Sequence, residues 1–286
     1  MAIDAARIKE LREKTGMGIS QCKKALEETG GDLDKAELLL RKQGIDKAAK
    51  KADRPTGQGV IAIRREGSRA AMIELACEQE PTAGNERFLG LARLALDLCL
   101  EGKLPDSEAL SRAATPEGGF GESLKALIGV VGENIQLKKA VYLEAPPGGL
   151  LGSYLHFNKK AGALVALALA GGDPANPGLA AVANDLAMHA VAARPLAASR
   201  ESLPPAALAR EREVFGEEVK KMPEAIREKV LDGKLQKFYT EKVFPEQIFV
   251  KDPDRKATVR QVLDQAAKAA EGKAEIAGFA RFELGL

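Results

Sequence analysis

The sequence is poor in the residues that most often carry covalent or metal chemistry. Its 286 residues include three cysteines, two histidines and no tryptophan, and aromatic residues make up 4%. Cys22, Cys77 and Cys99 are far apart and form no CxxC pair, which argues against a disulfide framework or a cysteine zinc site. Such cysteine usage is typical of a reducing compartment, and we expect a cytoplasmic protein.

The two histidines, His156 and His189, lie in separate segments and match no metal-binding motif. His189, in the apolar stretch DLAMHAVAA, is expected to be a half-buried packing residue. His156, in the turn sequence LHFNKK, is the better candidate for a contact role because turns carry function more often than packed faces do.

The chain has neither a large excess of charge of one sign nor a long apolar run. Lys and Arg number 43 against 41 Asp and Glu, a formal net charge of +2, so the chain has no broad basic field to hold nucleic acid. No run of ~18 apolar residues occurs, and the N-terminus MAIDAARIKELREK lacks the apolar core of a signal peptide. We therefore expect neither a membrane partner nor export.

The common catalytic motifs are missing as well. The sequence has no GxxxxGK[ST] phosphate loop, no GxGxxG after a strand and no GxSxG elbow. Glu78 and Glu80 are close enough in sequence for acid-base work, but no nucleophile or metal-ligand set accompanies them. The pattern disfavours an enzyme, and we expect no cofactor and no bound metal.

The first 43 residues predict three short helices. Asp4 and Asp32 are candidate N-caps of the first and third, and the breaks TGMG and TGG separate the three. The basic stretch KAAKKADRPTGQG that follows contains Pro and Gly and is interpreted as a linker. Apolar residues recur every three or four positions and give each helix one narrow apolar face, so that the three faces close a small bundle: Ile8, Leu11, Ile19, Cys22, Leu26, Leu33, Ala36, Leu39 and Leu40.

Beyond the linker the pattern changes to paired apolar runs. Residues 60–63 and 70–75 flank RREGSR and predict a β-hairpin; a helix capped by Asn85 and a strand over residues 135–143 follow. The same order of hairpin, helix and strand recurs from GGLLGSYLHFNKKAGALVALALAGG onward. This repeat predicts two related subdomains, each an antiparallel sheet with helices on one face.

A charged segment, residues 203–244, interrupts the second copy. It predicts two amphipathic helices that separate near Met222 and Pro223, where the proline ends the first helix and can begin the second at its first position. Joined by a short turn, the two helices form an antiparallel hairpin that projects from the core as an interaction device. The alternative is that the hairpin folds back onto its own core.

These patterns predict an α+β protein made of five parts. The expected bounds are 1–50 for a three-helix module, 51–58 for the linker, and 59–145 for the first core subdomain. The second core subdomain comprises 146–202 and 245–286, and the inserted helical hairpin comprises 203–244.

The opening IKELREKTGMGISQCKKALEETGGDLDKAELLLRKQG resembles the N-terminal module of the bacterial elongation factor Ts family. The likeness continues in order through KAAKKA, GENI, LGSYLH, LAMHAVAARP and GFARFELG, so it extends over nearly the whole chain. In that family a helix with Leu-Arg precedes T-G-x-G, then C-K-K-A-L and a Gly-Asp that begins the third helix; here these residues are Leu11, Arg12, Thr15, Gly16, Gly18, Cys22, Lys23, Lys24, Ala25, Leu26, Gly31 and Asp32.

The resemblance implies both a fold and a function. The implied fold has a three-helix module of the ubiquitin-associated type, a linker, two related α+β subdomains and an inserted helical hairpin, in agreement with the patterns above. The implied function is guanine nucleotide exchange on elongation factor Tu. The family binds the GDP form, promotes release of GDP and Mg²⁺, and leaves a nucleotide-free complex without any covalent chemistry.

The resemblance also implies partner contacts. In the family the N-terminal module contacts the GTPase domain of the partner through the T-G-x-G turn, and a histidine matched by His156 touches another domain. The family has larger apolar residues where this chain has Ile19 and Ser20. A solvated helix face is the alternative for Arg12, and a core position is the alternative for Ile19. The implied contact residues of the module are Arg12, Thr15, Gly16, Gly18, Ile19 and Ser20.

The stretch ELACEQEPTAGNERF departs from the family. The family's strand after the first hairpin ends in N-C-x-T-D-F-V-A, which intrudes beside the nucleotide site of the partner and dislodges Mg²⁺. Here Cys77 is kept, while Glu80, Pro81 and Thr82 replace the aspartate, phenylalanine and valine. We expect the magnesium-dislocation tip at Gln79, Glu80, Pro81 and Thr82, acting through the Glu80 carboxylate. Pro81 is expected to stiffen the tip and to hold Glu80 extended.

Two other functions stay open. One is a binding or chaperone-like scaffold for elongation factor Tu with weak exchange activity; the other is nucleic-acid binding by Lys23, Lys24 and the KAAKK run. The family often has a further helix after the strand FARFELG, and its lack here is expected to weaken the complex. The expected partner is elongation factor Tu, GDP-bound and nucleotide-free, with a second copy of the chain as an open alternative and no direct nucleic acid.

Overall fold

The N-terminal sequence forms the three expected helices, with the expected caps. The computed structural model describes residues 3–115 and 118–286, apart from the side chain of Lys47. Asp4 accepts from the Ala6 N–H at 3.1 Å, and Asp32 accepts from the Lys35 N–H at 3.0 Å. These contacts satisfy N–H groups that the first turn of a helix leaves without a partner. The helices are α1 (Ala5–Thr15), α2 (Ile19–Glu28) and α3 (Leu33–Ala49).

The core of this helical module matches the predicted apolar faces except at Ile19. Ile19 is 57% exposed, so its assignment to the core face is wrong. It is the first residue of α2, where the helix joins the turn from α1. The buried members of the core are Leu11, Met17, Cys22, Ala25, Leu26, Ala36 and Leu40.

Two halves of the remaining chain repeat one order of elements. Each half has a hairpin, then helices, then a third strand, and the sheets have the strand orders β1-β2-β3 and β4-β5-β6. The first half contains β1 (Gln58–Glu66), β2 (Arg69–Cys77), α4 (Glu80–Ala83), α5 (Glu86–Glu101), α6 (Ser107–Ser111), α7 (Phe120–Val131) and β3 (Ile135–Glu144). The second contains β4 (Leu150–Leu155), β5 (Ala161–Gly171), α8 (Pro177–Ala193), α9 (Pro205–Lys220), α10 (Glu224–Lys242), α11 (Val259–Ala269) and β6 (Gly272–Glu283). The α+β class and the repeat are therefore confirmed.

The chain separates into two compact units. The first contains the described residues up to Ala62, then Ile73–Tyr142 and Leu284–Leu286; the second contains Ile63–Met72 and Leu143–Glu283. In the first unit α3 packs against α7 through glycines, since a Cβ on Gly129 would lie 2.6 Å from the Cα of Gly44. The predicted division into five parts stays a prediction.

The second unit builds its core between its sheet and two helices. Strands β4, β5 and β6 pair antiparallel, with Leu151 opposite Ala166 and Leu164 opposite Ala280. Alternate residues of β5 pack against apolar residues of α8 and α11, as a strand with one face on a helical layer requires. The larger buried members of this core are Leu150, Val165, Leu167, Leu179, Leu186, Phe244, Phe249, Val259 and Leu263.

The inserted segment forms the expected antiparallel pair of helices. Helices α9 and α10 pack on each other, and Lys234 of α10 pairs with Glu218 of α9 while its ammonium lies 5.3 Å from the Phe215 ring. At the base of the pair, Leu203, Phe238 and Val243 form a small apolar cluster with Ala197. Pro223 is the N-cap of α10 and not its first helical residue.

The described helices do not include one that combines the length and the apolar character needed to cross a membrane.

Candidate functional site

The predicted tip is a single helical turn between β2 and α5. Gln79 is extended, with φ −125° and ψ 146°, and is the N-cap of α4, which begins at Glu80. The expectation that Pro81 holds Glu80 extended is therefore wrong. The Thr82 N–H donates to the Gln79 carbonyl at 3.2 Å and closes the turn. Pro81 removes no helical hydrogen bond, because N–H groups in the first turn of a helix have no helical acceptor.

The four predicted tip residues divide by exposure. Gln79, Glu80 and Pro81 are exposed, whereas Thr82 is 7% exposed. The first three residues can therefore meet a partner surface, and Thr82 anchors them from below.

The Glu133 carboxylate spans the turn from underneath. Its Oε2 accepts from the Gln79 N–H at 3.1 Å, and its Oε1 accepts from the Thr82 hydroxyl at 2.8 Å. Glu133 follows the left-handed residue Gly132, which ends α7, and precedes β3. One carboxylate thus holds both residues that flank Glu80 and Pro81.

The base of the tip is held by a second set of contacts. The Asn134 N–H donates to Glu78 Oε1 at 2.6 Å, and Arg54 lies 3.7 Å from the same carboxylate. Asn134 is 1% exposed, and its side-chain amide donates to the carbonyls of Ala52 and Arg54 at 3.1 and 2.7 Å. Glu78 therefore supports the structure of the tip, and the predicted linker is fastened to the same loop.

Cys77 closes β2 beneath the tip. Its thiol lies 3.2 Å from the Gln79 carbonyl and donates to it. Burial, with the nearby Glu133 carboxylate, raises the pKa of Cys77 to about 11. The group is a protonated hydrogen-bond donor at neutral pH and not a nucleophile.

The T-G-M-G turn between α1 and α2 is tightly built. Gly16 has φ 71° and donates its N–H to the Arg12 carbonyl at 2.7 Å, a left-handed helix end that favours glycine. The Thr15 hydroxyl donates to the Leu11 carbonyl at 2.7 Å, and Gln21 accepts from the Gly18 N–H at 3.3 Å. The turn is therefore fixed from both sides.

The predicted contact residues of this turn differ in exposure. Arg12, Gly18, Ile19 and Ser20 are exposed, and Thr15 and Gly16 are half-buried. Ile19 is the first residue of α2. The start of α2 therefore presents an exposed apolar side chain.

Arg87 links this turn to the helix that follows the tip. It lies in the first turn of α5 and its Nη1 is 3.4 Å from the Thr15 carbonyl. A Cβ on Gly16 would lie 1.2 Å from the same Nη1, so the guanidinium covers the glycine. Sequence reasoning missed Arg87, because no local pattern connects positions 72 residues apart.

Glu133 and Asn134 were also missed, although a signal for them exists. Strand β3 neighbours β2, and in an antiparallel pair the start of one strand lies beside the end of the other. The loop before β3 must therefore lie beside the residues that follow β2. Applied to GENI, this rule would have placed Glu133 beside the tip.

His156 belongs to the hairpin turn of the second unit. Its Nδ1 lies 2.8 Å from Asn158 Oδ1, and its ring packs on Phe157 with centroids 4.4 Å apart. Phe157 is 88% exposed, and the Tyr154 ring meets His156 edge-on. The turn thus presents an aromatic surface to solvent.

His189 is fully buried and not half-buried as expected. Its Nδ1 accepts from the Val250 N–H at 3.2 Å, so its Nε2 donates to Gln247 Oε1 at 2.9 Å. The Phe244 and Phe249 rings stack on the imidazole. Burial among these rings lowers the pKa of His189 below its ordinary value of 6.5.

Possible metal ligands are dispersed over the described residues. Among them, no cluster of three or more His, Cys, Asp or Glu side chains could hold a metal ion. A cleft of about 280 Å³ lies between the helical module and α7. Its hydroxyl groups, Thr15 and Ser123, donate to the carbonyls of Leu11 and Gly119, so neither is paired with a base.

Comparison with known proteins assigns the family. A family model described as Elongation factor TS matches residues 82–286. A protein named elongation factor Ts from a Nitratiruptor species is 40% identical, with 100% of this chain and 94% of the relative aligned. One from Rhodospirillum rubrum is 42% identical over 99% and 93%, and one from Chlamydia trachomatis is 38% identical over 97% of each chain. The chain therefore belongs to the elongation factor Ts family of translation elongation factors.

Proposed function

We propose that this chain is a guanine nucleotide exchange factor for elongation factor Tu, which promotes release of GDP and Mg²⁺. The observation that carries the proposal is the acidic turn at Gln79, Glu80 and Pro81, exposed and held from beneath by Glu133, in a chain of this family. The partner acts in translation, so the proposal includes action in the cytoplasm.

The proposed action is an allosteric coupling and requires no covalent step. A protein that prefers the nucleotide-free conformation of its partner lowers the affinity of the partner for GDP. Bound GDP lowers the affinity of the partner for that protein by the same ratio. The chain is therefore not an enzyme in this proposal, which agrees with its few candidate catalytic groups.

In the proposed mechanism, Glu80 acts on the metal of the partner. Mg²⁺ is bound by oxygen ligands in a strict octahedral shell, and it bridges the phosphates of a bound nucleotide. A carboxylate on a fixed turn can compete for or disturb that shell. Pro81 adds little volume where the family has phenylalanine, so the charge and position of Glu80 carry most of the effect.

The remaining predicted residues would supply affinity. Arg12, Thr15, Gly16, Gly18, Ile19 and Ser20 form the contact surface of the helical module in this proposal. His156, with its aromatic neighbours Tyr154 and Phe157, forms a second contact in the other unit. Exposed aromatic and arginine side chains are the residue types that most often dominate interfaces.

One test separates this proposal from the scaffold alternative. Release of labelled GDP from cognate elongation factor Tu is followed by stopped flow with increasing amounts of the chain, while binding is measured by calorimetry. We expect release to accelerate at least about tenfold at saturation, a coupling of ordinary size. Binding without acceleration would support the scaffold alternative. The observation that favours this alternative is Pro81, which stands where the family has an aromatic residue.

A further inference from the structure

We propose that Glu133 is a positioning residue for the tip, and that its clamp on Gln79 and Thr82 sets the maximal rate of nucleotide release and not the affinity for the partner. This inference rests on the proposed function. It gives a role to a residue outside the tip itself, on the loop between α7 and β3.

The geometry of the clamp is specific to the two residues that present Glu80. Gln79 and Thr82 are three positions apart, and each donates to a different oxygen of one carboxylate, at 3.1 and 2.8 Å. Glu80 and Pro81 lie between these two anchors. Hydrogen bonds to a charged acceptor are about twice as strong as neutral ones, so the carboxylate limits rotation of the intervening turn.

The other bonds that fix the turn are donated to the Gln79 carbonyl, by the Thr82 N–H and the Cys77 thiol. Helix α4 has four residues and its N-cap side chain makes no capping bond, so Glu133 supplies from outside the acceptor that an N-cap side chain normally provides. Thr82 is 7% exposed, and its hydroxyl needs a partner at that depth. Removing the Glu133 carboxylate takes away the acceptor of both donors.

Glu133 is itself held in place from both sides. Before it, the Gly132 carbonyl accepts from the Lys51 ammonium, and Gly132 has φ +81°, which favours glycine. After it, the buried Asn134 donates from its backbone to Glu78 and from its side chain to Ala52 and Arg54. The carboxylate is therefore a fixed support and not a mobile surface charge.

The experiment compares four variants of the full chain. Glu133→Ala removes both accepting oxygens, and Thr82→Val removes the hydroxyl at nearly constant volume. Thr82→Ser keeps the hydroxyl and is the conservative rescue. Glu101→Ala, at the exposed end of α5, is the matched control for loss of one carboxylate.

Two readouts are measured for each variant. The first is hydrogen exchange of the Gln79 amide in the chain alone. The second is labelled-GDP release from elongation factor Tu, which separates the maximal rate from the concentration of chain that gives half of it. A variant that only loosened the whole fold would also change the half-saturating concentration and the melting temperature.

We expect Glu133→Ala and Thr82→Val to lower the maximal rate about fivefold or more, with the half-saturating concentration within about twofold of the original. In Glu133→Ala the Gln79 amide should exchange about tenfold faster, because its acceptor is removed. Thr82→Ser and Glu101→Ala should resemble the unmodified chain in both readouts.

Each contrary result has its own meaning. An unchanged Gln79 exchange rate in Glu133→Ala would overturn the clamp. Faster exchange with an unchanged maximal rate would overturn its role in nucleotide release. Lack of acceleration by the unmodified chain would overturn the proposed function and with it that role, while the amide measurement still decides whether the clamp exists.

Discussion

At the scale of single residues, the proposal requires a changed motif to keep its chemistry. The exposed turn carries an acid at Glu80 where the family has aspartate, and a compact Pro81 where the family has an aromatic residue. Thr82 and Gln79 hold this turn on Glu133. In the proposed mechanism, the charge and its fixed position are what the turn offers to the metal shell of the partner.

The first prediction separates the charge of Glu80 from the ring of Pro81. Glu80→Gln removes the charge at nearly constant shape, and we expect the maximal rate of GDP release to fall about tenfold, since a neutral amide is a weaker competitor for Mg²⁺. Pro81→Ala keeps the charge, and its rate should stay within about threefold of the original. Stopped-flow release with both variants checks this, and equal rates for Glu80→Gln and the unmodified chain would contradict it.

A second prediction at this scale concerns His189 and pH. Because burial lowers the pKa of His189, the unfolded chain binds a proton near pH 6.5 that the folded chain binds only at lower pH. Stability therefore falls as the pH decreases through and below about 6.5, by at most about 1.4 kcal/mol per pH unit for this one group.

His189→Gln tests this because the amide can keep a hydrogen bond to Gln247 but does not titrate. We expect the free energy of unfolding, measured with denaturant between pH 7.5 and 5.5, to decline less steeply in the variant. A decline as steep as that of the unmodified chain would show that other groups cause it.

At the scale of secondary-structure elements, close helix packing fixes the helical module on α7. Gly44 of α3 and Gly129 of α7 meet with so little space that a Cβ on Gly129 would lie 2.6 Å from the Gly44 Cα. A Cβ on Gly44 would lie 3.7 Å from the Gly129 Cα, an ordinary contact. Substitution by alanine is therefore expected to have opposite effects on stability at the two glycines.

Alanine at each position tests the packing. Gly129→Ala forces α3 away from α7, and we expect a loss of about 1–3 kcal/mol in the free energy of unfolding. Gly44→Ala fits and gains helix propensity, so its stability should be unchanged or higher by up to about 1 kcal/mol. Denaturant unfolding measures both, and equal effects of the two substitutions would contradict the account.

The elements also show which structure the sequence makes predictable. Asp4, Asp32 and Asn85 cap their helices as expected, because each acts on N–H groups two or three residues away. The four-residue α4 and five-residue α6 were not predicted, since such short helices have no periodicity to detect. The long-range contacts of Glu133 and Arg87 follow from strand order and packing, which local patterns do not contain.

At the scale of the whole molecule, the candidate site residues fall into three groups. The tip and the T-G-M-G turn lie in the first unit, and the His156 turn lies in the second. Sequence resemblance indicated all three groups, but exposure had to be seen in the structure: Ile19 is available for contact, whereas Thr82 faces inward.

The most direct test of the proposal measures the Mg²⁺ dependence of GDP release from cognate elongation factor Tu. Release is followed across a range of Mg²⁺ concentrations, without the chain, with the chain and with Glu80→Gln. If the tip weakens the metal shell, the chain will raise the Mg²⁺ concentration needed to slow release by half, at least about fivefold, and Glu80→Gln will raise it less. An unchanged Mg²⁺ dependence in the presence of saturating chain would contradict the account.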